Sequence, residues 1–249
     1  MRKLIYGIFL IISSIAFGQE SELFAKANAH YAEGEFEEAI VDYRALLDSG
    51  QESVALYYNL GNAHYKRNEV ASSIYYYEKG LKLNPGDVDI KNNLKFAQRA
   101  TIDQVEVLPE GFIKKSIKSM TNTFGLDTWA WLSILGIVLF VVLFILYYTA
   151  GSSSGKRLFF MTSWVSFILG LVALGFAFKQ HNDLNTSRYA ILFEQEVSVK
   201  SEPNSLGEVI FRLHEGTKVA VLEESRDWKK IRLMDGKTGW VLSEKLKEL

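Results

Sequence analysis

Two uncharged apolar runs set the hydrophobic pattern, Trp129–Tyr148 and Leu158–Phe178, joined by the polar link Thr149–Arg157. At a helical rise of ~1.5 Å per residue each run reaches about 30 Å, the thickness of a bilayer's hydrocarbon core. The pair predicts a transmembrane helical hairpin, because a helix satisfies its own backbone polar groups where water is absent. The competing reading is two buried helices of a large soluble core, which would ordinarily keep one polar face. Trp129, Trp131, Tyr147 and Tyr148 stand at the ends of the first run, where aromatic rings favour the headgroup layer. Neither run carries a charge, so neither offers a proton or ion path. Ser166, Gly170, Ala173 and Ala177 put small residues at helical intervals on the second run, which lets another helix approach closely.

Elsewhere the periods differ. Met1–Gly18 joins Arg2 and Lys3 to the apolar run Leu4–Ile15, then places the small residues Ala16 and Gly18 before Gln19. That is secretory signal architecture, with an uncleaved anchor as the alternative. In Gly111–Phe124, Ile113, Ile117, Met120 and Phe124 recur at helical spacing while Lys114, Lys115 and Lys118 project elsewhere. This pattern fits an interfacial amphipathic helix within a linker over 101–128. Downstream, Tyr189–Phe193, Val197–Lys200, Val209–Leu213, Lys218–Glu223, Trp228–Leu233 and Thr238–Leu242 alternate or are β-branched. Pro203-Asn204, Glu215-Gly216 and Asp235-Gly236 read as turns between them. Six strands in so short a stretch predict a small all-β barrel over 187–249.

The segment 19–100 repeats itself. Leu23, Phe24, Ala27, His30, Tyr31, Phe36, Ala39, Ile40 and Tyr43 recur 34 residues later as Tyr57, Tyr58, Gly61, His64, Tyr65, Val70, Ser73, Ile74 and Tyr77. The block YNLGNAHYKRNEVASSIYYYEKGLKLNP resembles the tetratricopeptide repeat, whose period this is. The resemblance implies two repeats of paired antiparallel helices. Lys26 stands where a leucine usually packs, and Asp87–Arg99 supplies a terminal helix with Leu94 and Ala97 inward. It also implies a concave face made by the first helix of each pair. By register that face carries Phe24, Asn28 and Tyr31, then Tyr58, Asn62, Tyr65 and Lys66, then Phe96 and Arg99. Aromatics interleaved with amides suit a bound peptide; the alternative is an aromatic surface covered by the chain itself. Leu60, Gly61 and Ala63 point toward neighbouring helices, so Tyr58 and Asn62 are expected to be replaceable without unfolding.

Composition narrows the chemistry. The chain has 249 residues with 28 basic and 29 acidic side chains, but Gln19–Glu110 holds 16 acidic against 9 basic. An acidic module of this kind argues against nucleic-acid binding. The absence of cysteine excludes disulfides, thiolate metal sites and a cysteine nucleophile. His30 and His64 recur through repetition and lack companions at ligand spacing, so no metal or cofactor is expected. There is no Gly-rich phosphate loop, no Gly-x-Ser-x-Gly elbow and no triad around His30, His64, His181 or His214, so no enzyme is expected.

The residues Val199-Lys200-Ser201 with Pro203, Gly216, Trp228 with Lys230-Ile231, and Gly239-Trp240-Val241 resemble a bacterial SH3-type domain. In that family the domain binds cell-wall peptides or other proteins, which makes Trp228 and Trp240 candidate ligand platforms; each could equally be a packing residue. The fold class is thus a multidomain membrane protein: an all-α tetratricopeptide superhelix, a transmembrane α-helical hairpin and a small all-β SH3-like barrel. Taken in order, signal sequence, repeats, spans and SH3-type domain resemble the BatE-type proteins of Bacteroides-type aerotolerance operons. That resemblance implies an envelope protein working with membrane-anchored von Willebrand A-domain proteins and a large companion outside the inner membrane. Topology has conflicting signals, since Lys114, Lys115 and Lys118 would lie outside while Lys156 and Arg157 lie inside. The signal sequence decides for a multi-pass inner-membrane protein with both modules in the periplasm. Two function classes follow: a non-enzymatic scaffold assembling an envelope complex, and a sensor or tether binding peptidoglycan stem peptide.

Overall fold

The computed structural model describes residues 22–105, 108, 111–186 and 188–249. The signal-sequence expectation for Met1–Gly18 lies outside the described residues. The chain divides into two compact units, Met1–Glu52 and Ser53–Leu249. The division falls between the two repeats.

In the first unit, α1 (Glu22–Glu33) and α2 (Phe36–Asp48) form one helix pair. Gly34 turns the chain between them at φ +85°, in the left-handed region that costs glycine little. Ala27 and Ala39 are fully buried, and Tyr43 completes the contact between the helices. Lys26 has a local role: its Nζ lies 3.1 Å from Asp42, and His30 Nδ1 lies 3.1 Å from the same carboxylate. Asp42 is buried, and the compensation that a buried carboxylate requires comes from Lys26, whose Nζ donates to its Oδ1 at 3.2 Å.

In the second unit, α3 (Val54–Lys66) and α4 (Val70–Leu83) repeat the pair, and α5 (Val88–Arg99) packs against it. Ser53 caps α3 by accepting from the Leu56 N–H at 3.1 Å, and Asp87 caps α5 by accepting from the Ile90 N–H at 2.9 Å. Asn68, at φ +61°, takes the turn position that Gly34 holds one repeat earlier. The small residues allow close approach: a Cβ on Gly61 would lie 2.4 Å from the Tyr77 ring, and one on Gly80 would lie 2.7 Å from Ile90 Cδ1. Leu60, Ala63, Leu94 and Ala97 are buried.

Then come α6 (Phe112–Thr121), α7 (Leu126–Thr149) and α8 (Ser153–Thr186). Both α7 and α8 are long and apolar enough to cross a membrane, and only 6% and 22% of their most apolar windows are buried. A soluble core helix would be covered far more fully. Helix α8, with 34 residues, is about 50 Å long, so its charged end from Lys179 outlasts a bilayer core. The polar link expected over 149–157 shrinks accordingly, because α8 already begins at Ser153. The small stripe on α8 faces the hairpin's own first helix: Ser166 Oγ donates to the Gly136 carbonyl at 2.8 Å, and a Cβ on Gly136 would lie 2.7 Å from Gly170 Cα. Trp129 joins α6 to the hairpin, its Nε1–H donating to the Thr121 carbonyl at 2.9 Å and its ring meeting Phe124 and Phe176 edge-on.

The C-terminal sheet has strands β1 (Tyr189–Leu192), β2 (Glu196–Lys200), β3 (Val209–His214), β4 (Lys218–Ser225), β5 (Trp228–Arg232), β6 (Thr238–Leu242) and β7 (Leu246–Glu248). Every pairing is antiparallel in the order β3-β2-β6-β5-β4-β1-β7. The sequence reading missed β7, which follows a 3-10 turn at Ser243–Lys245. Val197, Val199, Val219, Val221, Ile231 and Val241 supply the core by alternation. Arg188 ties the edge together, bonding Glu224 at 2.8 Å and Glu248 at 2.9 Å, while Lys229 bonds the same Glu248. The carboxyls of Glu224 and Glu248 are held below their usual range: at Glu224 the Arg188 bond dominates, and at Glu248 the bonds to Lys229 and Arg188 outweigh desolvation.

Candidate functional site

Each first helix presents an Asn that its own repeat holds in place. Tyr43 Oη donates to Asn28 Oδ1 at 2.7 Å, and 34 residues later Tyr77 Oη donates to Asn62 Oδ1 at 2.6 Å. Both tyrosines are buried, so each hydroxyl needs an acceptor. The amides are therefore first of all structural. Phe24 packs tilted on Tyr43, with ring centroids 5.9 Å apart, and Tyr31 meets Phe36 edge-on at 5.3 Å.

On α3 and α5 the predicted residues separate into two groups. Asn93 Nδ2, absent from the sequence-based set, donates to Asn62 Oδ1 at 2.8 Å and to Tyr58 Oη at 3.3 Å. Tyr58, Asn62 and Asn93 thus form one hydrogen-bonded cluster joining the second repeat to its terminal helix. Phe96 and Arg99 form a second pair, with the guanidinium 5.6 Å from the ring centroid. Tyr65 and Lys66 are exposed. Removing Asn62 takes an acceptor from buried Tyr77, so the expectation that Asn62 is replaceable at no structural cost needs correction. Periodicity marked Asn62 as facing outward; it could not reveal that Tyr77 reaches it. His64 also serves the fold, with Nδ1 2.5 Å from Glu69 and its ring stacked 5.2 Å from Tyr76.

On the sheet, Trp240 is buried with Lys230 over its ring at 5.7 Å, and half-buried Trp228 has Lys200 over its ring at 5.8 Å. A lysine thus covers one face of each candidate platform, an arrangement that adds cation–π attraction.

The largest feature outside the sequence-based set is how the second repeat meets the sheet. Lys218 Nζ lies 2.6 Å from Glu78, Phe193 meets Tyr75 edge-on at 5.9 Å, and Lys247 sits 4.5 Å over the Tyr75 ring. Asp103, between the repeats and the spans, reaches the end of β3. Its Oδ2 accepts from the His214 N–H and from Thr217 Oγ1, each at 2.6 Å, and its Oδ1 lies 2.8 Å from His214 Nδ1. Desolvation pushes the Asp103 carboxyl up, but the bonds from Thr217 and His214 prevail and hold it below its ordinary 3.8. Val105 follows into the sheet's core, and the Leu108 N–H donates to the Met234 carbonyl at 3.3 Å. No sequence motif marks Asp103.

A tetratricopeptide repeat model matches residues 24–88, and a bacterial SH3 domain model matches residues 196–247. The chain carries both modules. Each is a non-catalytic interaction module, and together they point to binding, with protein partners as the first class. No curated protein matches the chain.

Proposed function

We propose that the chain is a membrane-tethered scaffold. The hairpin holds it in an inner membrane, and the repeats and SH3-type domain lie outside the cytoplasm to assemble an envelope complex. Membrane-anchored von Willebrand A-domain proteins and a large envelope companion of an aerotolerance-type system are the partners in this reading. The observation that carries it is the packing of the second repeat on the sheet through Glu78–Lys218, Tyr75–Phe193 and Asp103–His214. A pair of modules fixed to each other presents one continuous surface, which lowers the ordering cost of engaging a partner.

Tyr65, 40% exposed on α3, is the position for a test. A photo-crosslinking residue placed there in intact cells should yield an adduct with a membrane-anchored protein. Adducts confined to peptidoglycan fragments would favour the cell-wall tether instead and overturn the scaffold.

A further inference from the structure

A cavity of about 1140 Å³ lies among α4, α5, α6, the end of α8 and strands β1 and β4 of the sheet. We propose that it holds an anionic phospholipid; the proposal rests on the membrane reading above. Three features of the lining converge on that ligand.

The first is apolar wall. Leu81, Phe112, Ile113, Ile117 and Leu184 line the space, and Phe112 and Ile113 remain 84% and 74% exposed. Large side chains left so open mark a surface that something apolar covers. The second is charge. Six lysines line the cavity against the carboxylates of Glu78 and Asp183. Both carboxylates are already paired, Glu78 with Lys218 at 2.6 Å and Asp183 with Lys179 at 2.5 Å. Lys91 and Lys114 have no ion-pair partner among the described residues. Net positive charge beside apolar wall matches a phosphate headgroup with its acyl chains. The third is position. The uncharged run of α8 ends at Phe178, and the next residues, Lys179 and Gln180, line the cavity. It therefore opens where hydrocarbon gives way to headgroups, beside an amphipathic helix of the kind that lies in that layer.

Size separates this ligand from its alternatives. The volume exceeds the ~300–1,000 Å³ of pockets that take drug-sized molecules. A free phosphate would engage lysines but leave the apolar wall wet.

The test is native mass spectrometry of the full chain released from detergent micelles doped with phosphatidylglycerol or phosphatidylcholine. Wild type should retain one phosphatidylglycerol in preference to phosphatidylcholine. The double variant Lys91→Ala/Lys114→Ala should retain it on the order of thirtyfold more weakly, as expected for two lysines near an anionic surface. Lys114 is exposed and Lys91 half-buried, and unchanged helical circular dichroism would show that the variant is folded. Ile113→Asp should also lose the lipid while keeping its lysines. Equal retention of the two lipids, or undiminished retention by the double variant, overturns the proposal. Displacement of the lipid by millimolar inorganic phosphate overturns it in favour of a simple anion site. A co-purifying acidic peptide in place of lipid overturns it as well. Carbonate extraction of the same membranes keeps the two readings apart: a chain that stays embedded yet retains no lipid defeats only this proposal, and a chain released by carbonate defeats the membrane reading beneath it.

Discussion

Replacing Asp103 with alanine should unfasten the segment after the repeats from the sheet. The carboxylate accepts from the His214 N–H and Thr217 Oγ1 at 2.6 Å each and lies 2.8 Å from His214 Nδ1. Hydrogen bonds to a charged acceptor contribute ~1.5–3 kcal/mol apiece. Bonds that share one group are not additive, and the freed donors sit near enough to solvent to find water, so the loss should be about 2–3 kcal/mol. Hydrogen exchange at the His214 amide reads that loss directly. The amide should exchange on the order of 30- to 150-fold faster in the variant, while buried amides of β4 and β5 keep their protection. The pH dependence follows from the lowered carboxyl. A group whose folded value is depressed contributes stability that is present above its unfolded value and is lost as pH falls through the folded one. Wild-type protection at His214, corrected for intrinsic exchange, should thus hold from neutrality down to about the ordinary value of 3.8 and fall below it. In Asp103→Ala it should be low throughout. Equal His214 exchange in the two proteins at pH 6 would refute the reasoning.

Further outcomes follow from the packing. Gly61→Leu places a side chain where even a Cβ lies 2.4 Å from the Tyr77 ring, so thermal melting should show collapse of the second repeat. Asn62→Ala leaves the Tyr77 hydroxyl without its acceptor and should lower stability by about 1–3 kcal/mol, whereas Tyr58→Ala should chiefly weaken partner capture in pull-downs. Ser73 is fully buried and its hydroxyl has no partner among the described residues; Ser73→Ala, which reproduces Ala39 of the first repeat, should be neutral or stabilising by ~1 kcal/mol in denaturant titration. A double-mutant cycle on Glu78 and Lys218 should return a coupling of about 0.5–3 kcal/mol, since the pair is close and partly buried; zero coupling would detach the second repeat from the sheet.

Local period carried most of the fold into view. The 34-residue recurrence located the helix pairs because small residues must recur wherever helices touch, as at Ala27 and Gly61. Alternation located six strands within a residue or two, and missed Leu246–Glu248 because three residues are too few to show a period. The start of α8 at Ser153 was hidden by a polar stretch that reads as loop. The candidate groove was legible only as a face. Register puts Tyr58 and Asn62 side by side, but the bonds from Tyr77 and Asn93 join residues 15 and 31 positions away along the chain. The Asp103 latch spans more than a hundred residues, and a lone aspartate in a polar segment gives no sign of its partner. The cavity is likewise a product of tertiary arrangement, since its lysines come from five separate elements.

Alkaline phosphatase fusions test most directly the central claim that both modules stand on the outer side of a membrane. The enzyme is active only after export. Fused after Leu249 it should be active, and fused after Ser153, between the two spans, it should be inactive. The reverse pattern would place the repeats and the SH3-type domain in the cytoplasm and contradict the account.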